Sequence, residues 1–268
     1  MISIKEYVKV RKEEIKAEIS SCKVTPHLLI IQVNDDPSSN AYIKGKIKDA
    51  QEVGFIATLM KLAPTTTEEE LLEIIDNANK DNSIHGIIVQ MPLPKGINVK
   101  RIEEAIAINK DVDGFHPLSI FKPCTPKGII DYLLANQVEI TSKNAVVIGR
   151  SDIVGKPMAK LLLKENANVT VLHSKTKMED MSFYIAHADI IVIAIGKKWF
   201  LDERFTYKKE AIVIDVGINR IDNHLFGDAK EDLPVWYKSP VPGGVGLLTR
   251  LTLLVNLLEA YKNGIQSN

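Results

Sequence analysis

The chain has 268 residues, of which 45% are hydrophobic and 25% charged, so it can bury a full core without disulfides or a structural metal. Its 34 Lys and Arg residues balance its 34 Asp and Glu residues, which argues against a nucleic-acid binder that works through bulk positive charge. No apolar run reaches the roughly 18 residues that a membrane span needs. Cys22 and Cys124 match no metal-ligand spacing, and residues 1–20 alternate charged and apolar side chains, unlike a signal peptide. We therefore expect a cytoplasmic protein with reduced thiols, no metal, and no membrane or nucleic-acid partner.

The apolar periodicity changes repeatedly between helical and strand types. In the first half it predicts a helix within 1–20, a strand at 28–33, a helix at 40–53 closed by Gly54, a strand near 55–61, a helix opened by Thr67, and a buried strand at 86–90. In the second half it predicts strands at 145–148, 168–172, 190–195 and 211–216, helices at 157–165 and 178–187, and a final helix at 246–262. Strands separated by helices indicate βαβ units and a largely parallel sheet. The length predicts two domains, with a boundary in the Pro- and Gly-rich stretch 113–127.

A glycine turn follows the strand at 145–148, in the sequence VIGRSDIVGKP. Gly149 and Gly155 would let the backbone approach a pyrophosphate, and the next helix, which we expect Pro157 to open, would favour its negative charge. The spacing matches neither a Walker loop nor the usual GxGxxG pattern. An ordinary tight strand-to-helix turn is the alternative interpretation.

The next strand ends in HSKT, where dinucleotide-binding folds contact the adenine ribose. NAD enzymes usually place an acidic residue there, whereas Ser174, Lys175 and the guanidinium of Arg150 suit a 2′-phosphate. This pattern favours NADP over NAD, with a solvated polar turn as the alternative. Gly196 and Gly217 end two further strands, where they would leave room for a ligand or serve as plain loop glycines.

Four polar residues of the first half are candidates for proton-transfer chemistry. Tyr42 and Lys46 share one face of a predicted helix, and a lysine beside a phenol in a dry cleft can transfer protons. By spacing alone, a solvated basic stretch of Lys44, Lys46 and Lys48 is the stronger interpretation. Gln90 ends a buried strand, where its amide would need partners. Asp113 lies near a turn that acidic residues often cap.

Taken together, these segments resemble the bifunctional methylenetetrahydrofolate dehydrogenase/methenyltetrahydrofolate cyclohydrolase (FolD-type) family. The matching segments, in the family's order, are DDPSSNAYIKGK, EVGF, VQMPLP, KDVDGFHP, PCTPKGI, VVIGRSDIVGKPMAKLL, HSKT, ADIIVIAIGK, VIDVGIN and SPVPGGVG. The resemblance implies an α/β fold with an N-terminal catalytic lobe (1–115 plus 246–268) and a Rossmann-like NADP-binding lobe (116–245) with a mostly parallel sheet. The C-terminal helix would return to the first lobe. The resemblance also implies a homodimer.

The resemblance further assigns roles to individual residues. Lys46 is similar to the family's catalytic lysine, with Tyr42 as its helical neighbour, Gln90 orienting it and Asp113 holding the pterin ring. The residues implied to contact NADP are Gly149, Arg150, Ser151, Gly155, Ser174, Lys175, Gly196, Gly217 and Ile218. Pro242, Gly243 and Gly244 resemble part of the folate side of the cleft. The implied activity is oxidation of 5,10-methylenetetrahydrofolate with NADP, followed by hydrolysis to 10-formyltetrahydrofolate.

The sequence also departs from the family's pattern in ways that leave alternative functions open. Only ten residues separate Asp113 and Cys124, where the family usually has a longer loop with an Asn-x-Gly-x-Leu element. Leu247 and Leu248 follow GGVG, where Pro-Met is usual, and Ala229 replaces the valine of a usual GDV. One alternative is a dehydrogenase that has lost or weakened its cyclohydrolase. Another is a non-catalytic dinucleotide-binding sensor, against which the four intact polar residues of the first half count.

Overall fold

The computed structural model describes residues 1–20, 22, 24–222 and 224–266. The predicted domain ranges also include residues 21, 23, 223, 267 and 268, which lie outside this description. The chain divides into two compact units. We call Lys9–Cys124 with Arg250–Asn268 the N-terminal unit, and Met1–Val8 with Thr125–Thr249 the central unit. In the described residues, no helix has the length and apolar character needed to cross a membrane.

The secondary structure alternates helices and strands along most of the chain. Its first half contains α1 (Ile4–Ile19), β1 (His27–Gln32), α2 (Pro37–Glu52), β2 (Ile56–Lys61), α3 (Glu68–Lys80), β3 (Gly86–Gln90), α4 (Val99–Ala105) and α5 (Cys124–Ala135). Its second half contains β4 (Asn144–Ile148), α6 (Gly155–Lys164), β5 (Asn168–Leu172), α7 (Met178–His187), β6 (Ile190–Ile193), β7 (Ile212–Asp215), β8 (Asn219–Ile221), β9 (His224–Phe226), β10 (Tyr237–Lys238) and α8 (Val245–Gln266).

Side-chain caps set where two helices of the N-terminal unit begin. Helix α2 begins three residues before its predicted start, because Asp36 accepts a hydrogen bond from the backbone N–H of Ser39 and Pro37 suits the first helical position. Thr67 opens α3 as predicted, and it forms a reciprocal capping box with Glu70. These caps satisfy backbone donors that the first turn of a helix leaves without partners.

The N-terminal unit is built on a parallel three-stranded sheet of order β2-β1-β3. Leu29, Ile31 and Val89 pack from this sheet against Leu71 and Ile75 of α3. Burial of such aliphatic side chains provides most of the stability of a domain. The residues of α8 from Arg250 onward group with this unit, as the predicted return of the C-terminal helix requires.

The central unit is built on a parallel five-stranded sheet of order β10-β7-β6-β4-β5. Val146, Ile191 and Val213 lie in its core with Met181 and Ile185 of α7. An antiparallel hairpin of β8 and β9 follows β7. The prediction of an α/β fold with mostly parallel strands and a Rossmann-like domain is confirmed.

Two predicted boundaries in the central unit lie two residues from the observed ones, because hydrogen bonds outside the regular helix and strand patterns decide them. Helix α6 begins at Gly155, and not at Pro157, because the hydroxyl of Ser151 accepts the N–H groups of Val154 and Gly155. Strand β6 ends at Ile193, and not at residue 195, because the N–H groups of 195–197 bond to a buried carboxylate instead of a neighbouring strand.

The short segment between Asp113 and Cys124 folds back on itself through backbone contacts. Gly114 has a φ of +77°, and a Cβ at this position would lie 2.6 Å from the carbonyl carbon of Lys122. Asn256 of α8 donates hydrogen bonds to the carbonyl oxygens of Val112 (2.9 Å) and Lys122 (3.3 Å). The helix thus holds both ends of the segment.

We expect Gly114→Ala to destabilise the protein much more than Gly96→Ala. Both glycines have positive φ, which costs an L-residue about 1–2 kcal/mol, but a Cβ at Gly96 meets nothing within 4 Å. The clash at Gly114 should add about 1–3 kcal/mol to that cost. Urea unfolding followed by circular dichroism measures both variants. Equal destabilisation would contradict the close approach of Gly114 and Lys122.

Candidate functional site

Lys46 is a buried lysine in the middle of α2, with only 4% of its surface exposed. Its Nζ donates a hydrogen bond to Oε1 of Gln90 at 3.3 Å, lies 3.7 Å from Oδ2 of Asp113, and lies 5.1 Å from the centre of the Tyr42 ring. A buried ammonium is costly unless polar groups surround it. The four predicted residues therefore come together around Lys46, and the interpretation of Lys46 as a surface residue is wrong. Lys44 and Lys48 of the same helix are exposed.

Two acidic residues flank Val112, and the structure separates their tasks. Asp111 accepts the backbone N–H groups of Gly114 (3.2 Å) and His116 (2.8 Å), so it is the residue that caps the turn. Burial raises the pKa of the Asp111 carboxyl, although these N–H donors oppose the rise. Asp113 directs its carboxylate toward Lys46 instead.

An ion-pair cluster fixes the face of α2 one turn beyond Lys46. Asp49 is buried, and its Oδ1 accepts a hydrogen bond from Lys12 Nζ at 2.6 Å. Arg250 Nε lies 2.9 Å from Asp49 Oδ2 as an ion pair without hydrogen-bond geometry. Gly45 leaves room for the Arg250 guanidinium, because a Cβ there would lie 2.0 Å from its Nη1. The cluster holds the helix that carries Tyr42 and Lys46.

In the central unit, the glycine turn after β4 depends on two close backbone approaches. Gly149 has a φ of +121°, and a Cβ there would lie 2.5 Å from the carbonyl oxygen of Ala194. A Cβ at Gly155 would lie 2.3 Å from the carbonyl oxygen of Gly149. Only glycine lets the turn fold this closely between the strand and α6, which is the packing that dinucleotide-binding turns use.

A cavity of about 280 Å³ lies at the carboxyl ends of β4, β5 and β6. It is lined by Ile148, Gly149, Arg150, His173, Ser174, Met181, Ala194, Ile195, Lys197 and Phe200. Two of the predicted 2′-phosphate residues, Arg150 and Ser174, thus share one cavity. Arg150 is exposed and forms no ion pair within the part of the chain that the structure describes. Its guanidinium can therefore accept an anionic ligand.

Six predicted cofactor residues lie outside that lining, and four of these six also lie outside a second cavity beyond β7. The hydroxyl of Ser151 accepts the N–H groups of Val154 and Gly155 at the start of α6, and Gly155 packs against the glycine turn. The backbone N–H of Lys175 donates to Nδ1 of His173, which closes the HSKT turn with the Lys175 side chain exposed. Gly196 donates its N–H to Asp228 at 2.9 Å. Each of these residues is next to a lining residue in the sequence or packs against one.

A second, smaller cavity of about 70 Å³ lies beyond the end of β7. Gly217 and Ile218 line it together with Pro242, Gly243 and Gly244, and Ile218 is 60% exposed. The residues that the resemblance gave to the nicotinamide and to the folate therefore share one cavity of the central unit. Asp215 also lines this cavity.

Sequence reasoning missed two buried carboxylates in this unit, Asp215 and Asp228. Burial raises the pKa of Asp215 to about 6, although it accepts the N–H groups of Gly217, Asp228 and Ala229. Asp228 is completely buried. The signal that could have found them is the single acidic residue in each of two otherwise uncharged segments, VIDVGIN and FGDA, because acidic residues are rarely buried unless they are paired.

The chain matches two sequence models of one family. Residues 2–113 match the tetrahydrofolate dehydrogenase/cyclohydrolase catalytic domain, and residues 123–265 match the NAD(P)-binding domain of the same family. A curated relative, the bifunctional protein FolD of Halalkalibacterium halodurans, is 43% identical over 267 residues, covering 94% of this chain and 95% of that protein.

Solved structures give the same result. The bifunctional FolD dehydrogenase/cyclohydrolase of Campylobacter jejuni superposes with a TM-score of 0.92 at 40% identity, covering 96% of each chain. The Trypanosoma brucei FolD enzyme, solved with an NADP cofactor and an inhibitor, gives 0.94 at 30% identity, covering 99% of this chain and 98% of that one. The chain therefore belongs to the tetrahydrofolate dehydrogenase/cyclohydrolase family, as its motifs predict.

Proposed function

We propose that this chain is a bifunctional enzyme of one-carbon metabolism. It oxidises 5,10-methylenetetrahydrofolate to the 5,10-methenyl cation with NADP⁺, and it hydrolyses that cation to 10-formyltetrahydrofolate. The observation that carries the proposal is the buried Lys46 within reach of Gln90, Asp113 and Tyr42, in a chain that matches both domains of the family. A non-catalytic binding protein would have no reason to pay the cost of burying this lysine.

The glycine turn and its cavity fit a dinucleotide. At Gly149 and Gly155 the space that a Cβ would fill is taken by backbone, so glycine lets the turn pack tightly against β6 and α6. Helix α6 begins at this turn, and the N-terminus of a helix can bind a pyrophosphate. Arg150 and Ser174 line the same cavity and can bind a 2′-phosphate by charge and by hydroxyl. When bound, NADP⁺ supplies the acceptor for the hydride of the one-carbon bridge.

The remaining work of the dehydrogenase step is positioning. Asp113 would hold the pterin ring through its carboxylate, and Lys46 helps to orient or polarise the folate. Ile218, exposed at the edge of its cavity, offers an apolar surface for the nicotinamide ring, with Pro242, Gly243 and Gly244 alongside. Holding the two flat reactants face to face speeds the reaction by reducing their freedom of motion, and it requires no covalent bond to a side chain.

The hydrolytic step requires proton transfer. Water adds to the methenyl carbon and loses one proton, which gives a hydroxyl adduct. The adduct loses its hydroxyl proton as the formyl C=O forms, while the carbon–nitrogen bond to N5 breaks and N5 takes up a proton, so that one proton is released overall. In its amine form Lys46 can take the first proton from the water, and the ammonium that this forms can return a proton to N5 as a general acid, with Gln90 holding its Nζ from one side. Tyr42 packs over the same ammonium and helps to exclude water from it.

The organisation of the protein follows the same proposal. Residues 1–115 with 246–268 form the folate-binding domain, and residues 116–245 form the NADP-binding domain. The compact unit that joins Lys9–Cys124 to Arg250–Asn268 supports this arrangement. The enzyme acts in the cytoplasm, where Cys22 and Cys124 stay reduced, and it works as a homodimer, as the family resemblance implies.

The direct test is to incubate the purified chain with 5,10-methylenetetrahydrofolate and either NADP⁺ or NAD⁺. Absorbance follows the reduced cofactor and the methenyl intermediate separately. We expect reduction that is faster with NADP⁺, with the methenyl signal rising and then decaying. Lasting methenyl absorbance would indicate a dehydrogenase without a cyclohydrolase, and no reduction with either cofactor would refute the proposed function.

Lys46→Met should reduce hydrolysis of supplied methenyltetrahydrofolate by at least about 100-fold, the lower range for loss of a general acid–base. NADP⁺ affinity should stay unchanged, because the residues of the dinucleotide cavity belong to the central unit. Lys44→Met is the matched control, since Lys44 lies on the same helix but is exposed. An unchanged rate of hydrolysis in Lys46→Met would contradict the role given to this lysine.

Arg150→Ala should weaken NADP⁺ binding about 10- to 100-fold, the range of one or two charge-assisted hydrogen bonds, with little effect on NAD⁺. Isothermal titration calorimetry measures both affinities. Lys160→Ala removes an exposed cation from α6 and controls for general charge. A similar loss for both cofactors in Arg150→Ala would argue against a 2′-phosphate contact.

A further inference from the structure

The carboxylate of Asp228 contacts residues that line each of the two cavities of the central unit. Its surface is completely buried. Oδ2 accepts the backbone N–H groups of Ile195 (2.7 Å) and Gly196 (2.9 Å), and Oδ1 accepts that of Lys197 (2.7 Å). Three successive backbone donors therefore converge on one side chain.

The three N–H groups form a concavity of the kind called an anion-binding nest, and the side chain of Asp228 occupies it. Gly196 has a φ of +62°, the left-handed conformation that turns successive N–H groups toward one point. Such concavities bind phosphates in many proteins, but here the three donors face Asp228 and not a ligand. The segment is consequently fixed from behind, while Ile195 and Lys197 line the larger cavity.

The same carboxylate also fixes the wall of the smaller cavity. Oδ1 of Asp228 accepts a hydrogen bond from Nδ2 of Asn219 at 2.9 Å. Gly217 packs directly on the carboxyl group, because a Cβ there would lie 2.2 Å from Cγ of Asp228. Ile218 stands between these two anchored residues and lines that cavity with Gly217.

Asp228 is itself held in place by its backbone. Its N–H donates to Oδ1 of Asp215 at 3.0 Å, and its carbonyl oxygen accepts the N–H of Leu201 at 3.0 Å. These two hydrogen bonds hold the backbone of Asp228 in place, so its carboxylate can position residues 195–197 and 217–219.

We infer that Asp228 is a positioning residue for NADP binding and hydride transfer, which acts by holding the segment after β6 and the segment after β7 in a fixed relation. The inference rests on the function proposed above. It goes beyond that function because Asp228 lines neither cavity and so acts only through the two segments that it binds.

Asp228→Asn tests this role with almost no change of volume. The amide keeps one acceptor oxygen but directs an NH₂ group at backbone donors, so the two segments must separate from it. We expect NADP⁺ affinity, measured by calorimetry on the enzyme without folate, to fall about tenfold or more, the effect of losing a charge-assisted hydrogen bond. The dehydrogenase kcat should fall with it. Hydrolysis of supplied methenyltetrahydrofolate should fall much less than NADP⁺ affinity, because Lys46 and its partners, which transfer the protons, belong to the N-terminal unit.

Asp189→Asn is the matched control at the opposite end of the same strand. Asp189 directly precedes β6 and accepts the N–H of Asn144 (2.8 Å) and the ammonium of Lys208 (2.7 Å). Its substitution should lower the unfolding temperature and leave NADP⁺ affinity unchanged. Comparable losses of affinity in the two variants would show that Asp228 contributes only to general stability.

Asn219→Ala keeps the inference testable if Asp228→Asn does not fold. It removes one donor from the same carboxylate and should weaken NADP⁺ a few-fold, again with less effect on hydrolysis. Wild-type NADP⁺ affinity in every variant that folds would overturn the role of Asp228. The proposed function fails separately, if the wild-type chain binds NADP⁺ but produces no reduced cofactor from 5,10-methylenetetrahydrofolate.

Discussion

The burial of one ammonium group constrains the architecture of the N-terminal unit. Lys46 is 4% exposed, and a charge at such depth is stable only where polar groups replace its water. Gln90 can provide one of these groups because β3 is the edge of a parallel sheet and ends beside α2. Asp113 provides the other, and it does so only because the segment after β3 returns to the same place. Helix α2, strand β3 and the segment that carries Asp113 must therefore lie close enough together for these polar groups to reach the ammonium of Lys46.

The central unit solves a related problem with carboxylates in place of a lysine. Parallel strands leave backbone N–H groups without partners where they end, and a buried N–H without an acceptor is costly. Asp215 and Asp228 provide acceptors for the segments that follow β6 and β7. The pKa of Asp215, raised to about 6 by burial, shows the cost of placing a carboxylate there. The protein accepts this cost at the strand ends, where parallel α/β sheets bind their ligands.

The sequence predicts regular elements well because periodicity and capping are local properties. The strand at 168–172 and the helix at 178–187 have the predicted bounds, and Thr67 caps α3 as its position indicates. The seven-residue helix α4 and the hairpin of β8 and β9 are too short to give a clear period, and they were not predicted. The boundaries at Pro157 and at residue 195 were wrong because distant or irregular hydrogen bonds, from Ser151 and to Asp228, decide them.

The candidate site shows the same division between local and distant causes. Spacing places Tyr42 and Lys46 on one helical face, but the same spacing favoured a solvated lysine. Burial of Lys46 depends on Gln90 and Asp113, which are 44 and 67 positions away along the chain. From the sequence, only the resemblance to a family could predict that these distant residues lie in one site. Asp228 is the acidic residue of the GDA segment, but the resemblance gave it no role, and so it was missed.

The segments that differ from the family's pattern keep the contacts that hold the site around Lys46. In the shortened segment, Asp111 caps the turn and Asn256 binds both of its ends, so the segment closes without recruiting the carboxylate of Asp113. That carboxylate still lies 3.7 Å from Lys46 Nζ. Leu248 is fully buried, so this side chain contributes to packing at the start of α8. A chain that had lost the hydrolytic step would no longer need to bury Lys46, and the cost of doing so would favour its replacement by an apolar residue. The intact, polar surroundings of Lys46 therefore support two activities in this chain and argue against a dehydrogenase alone.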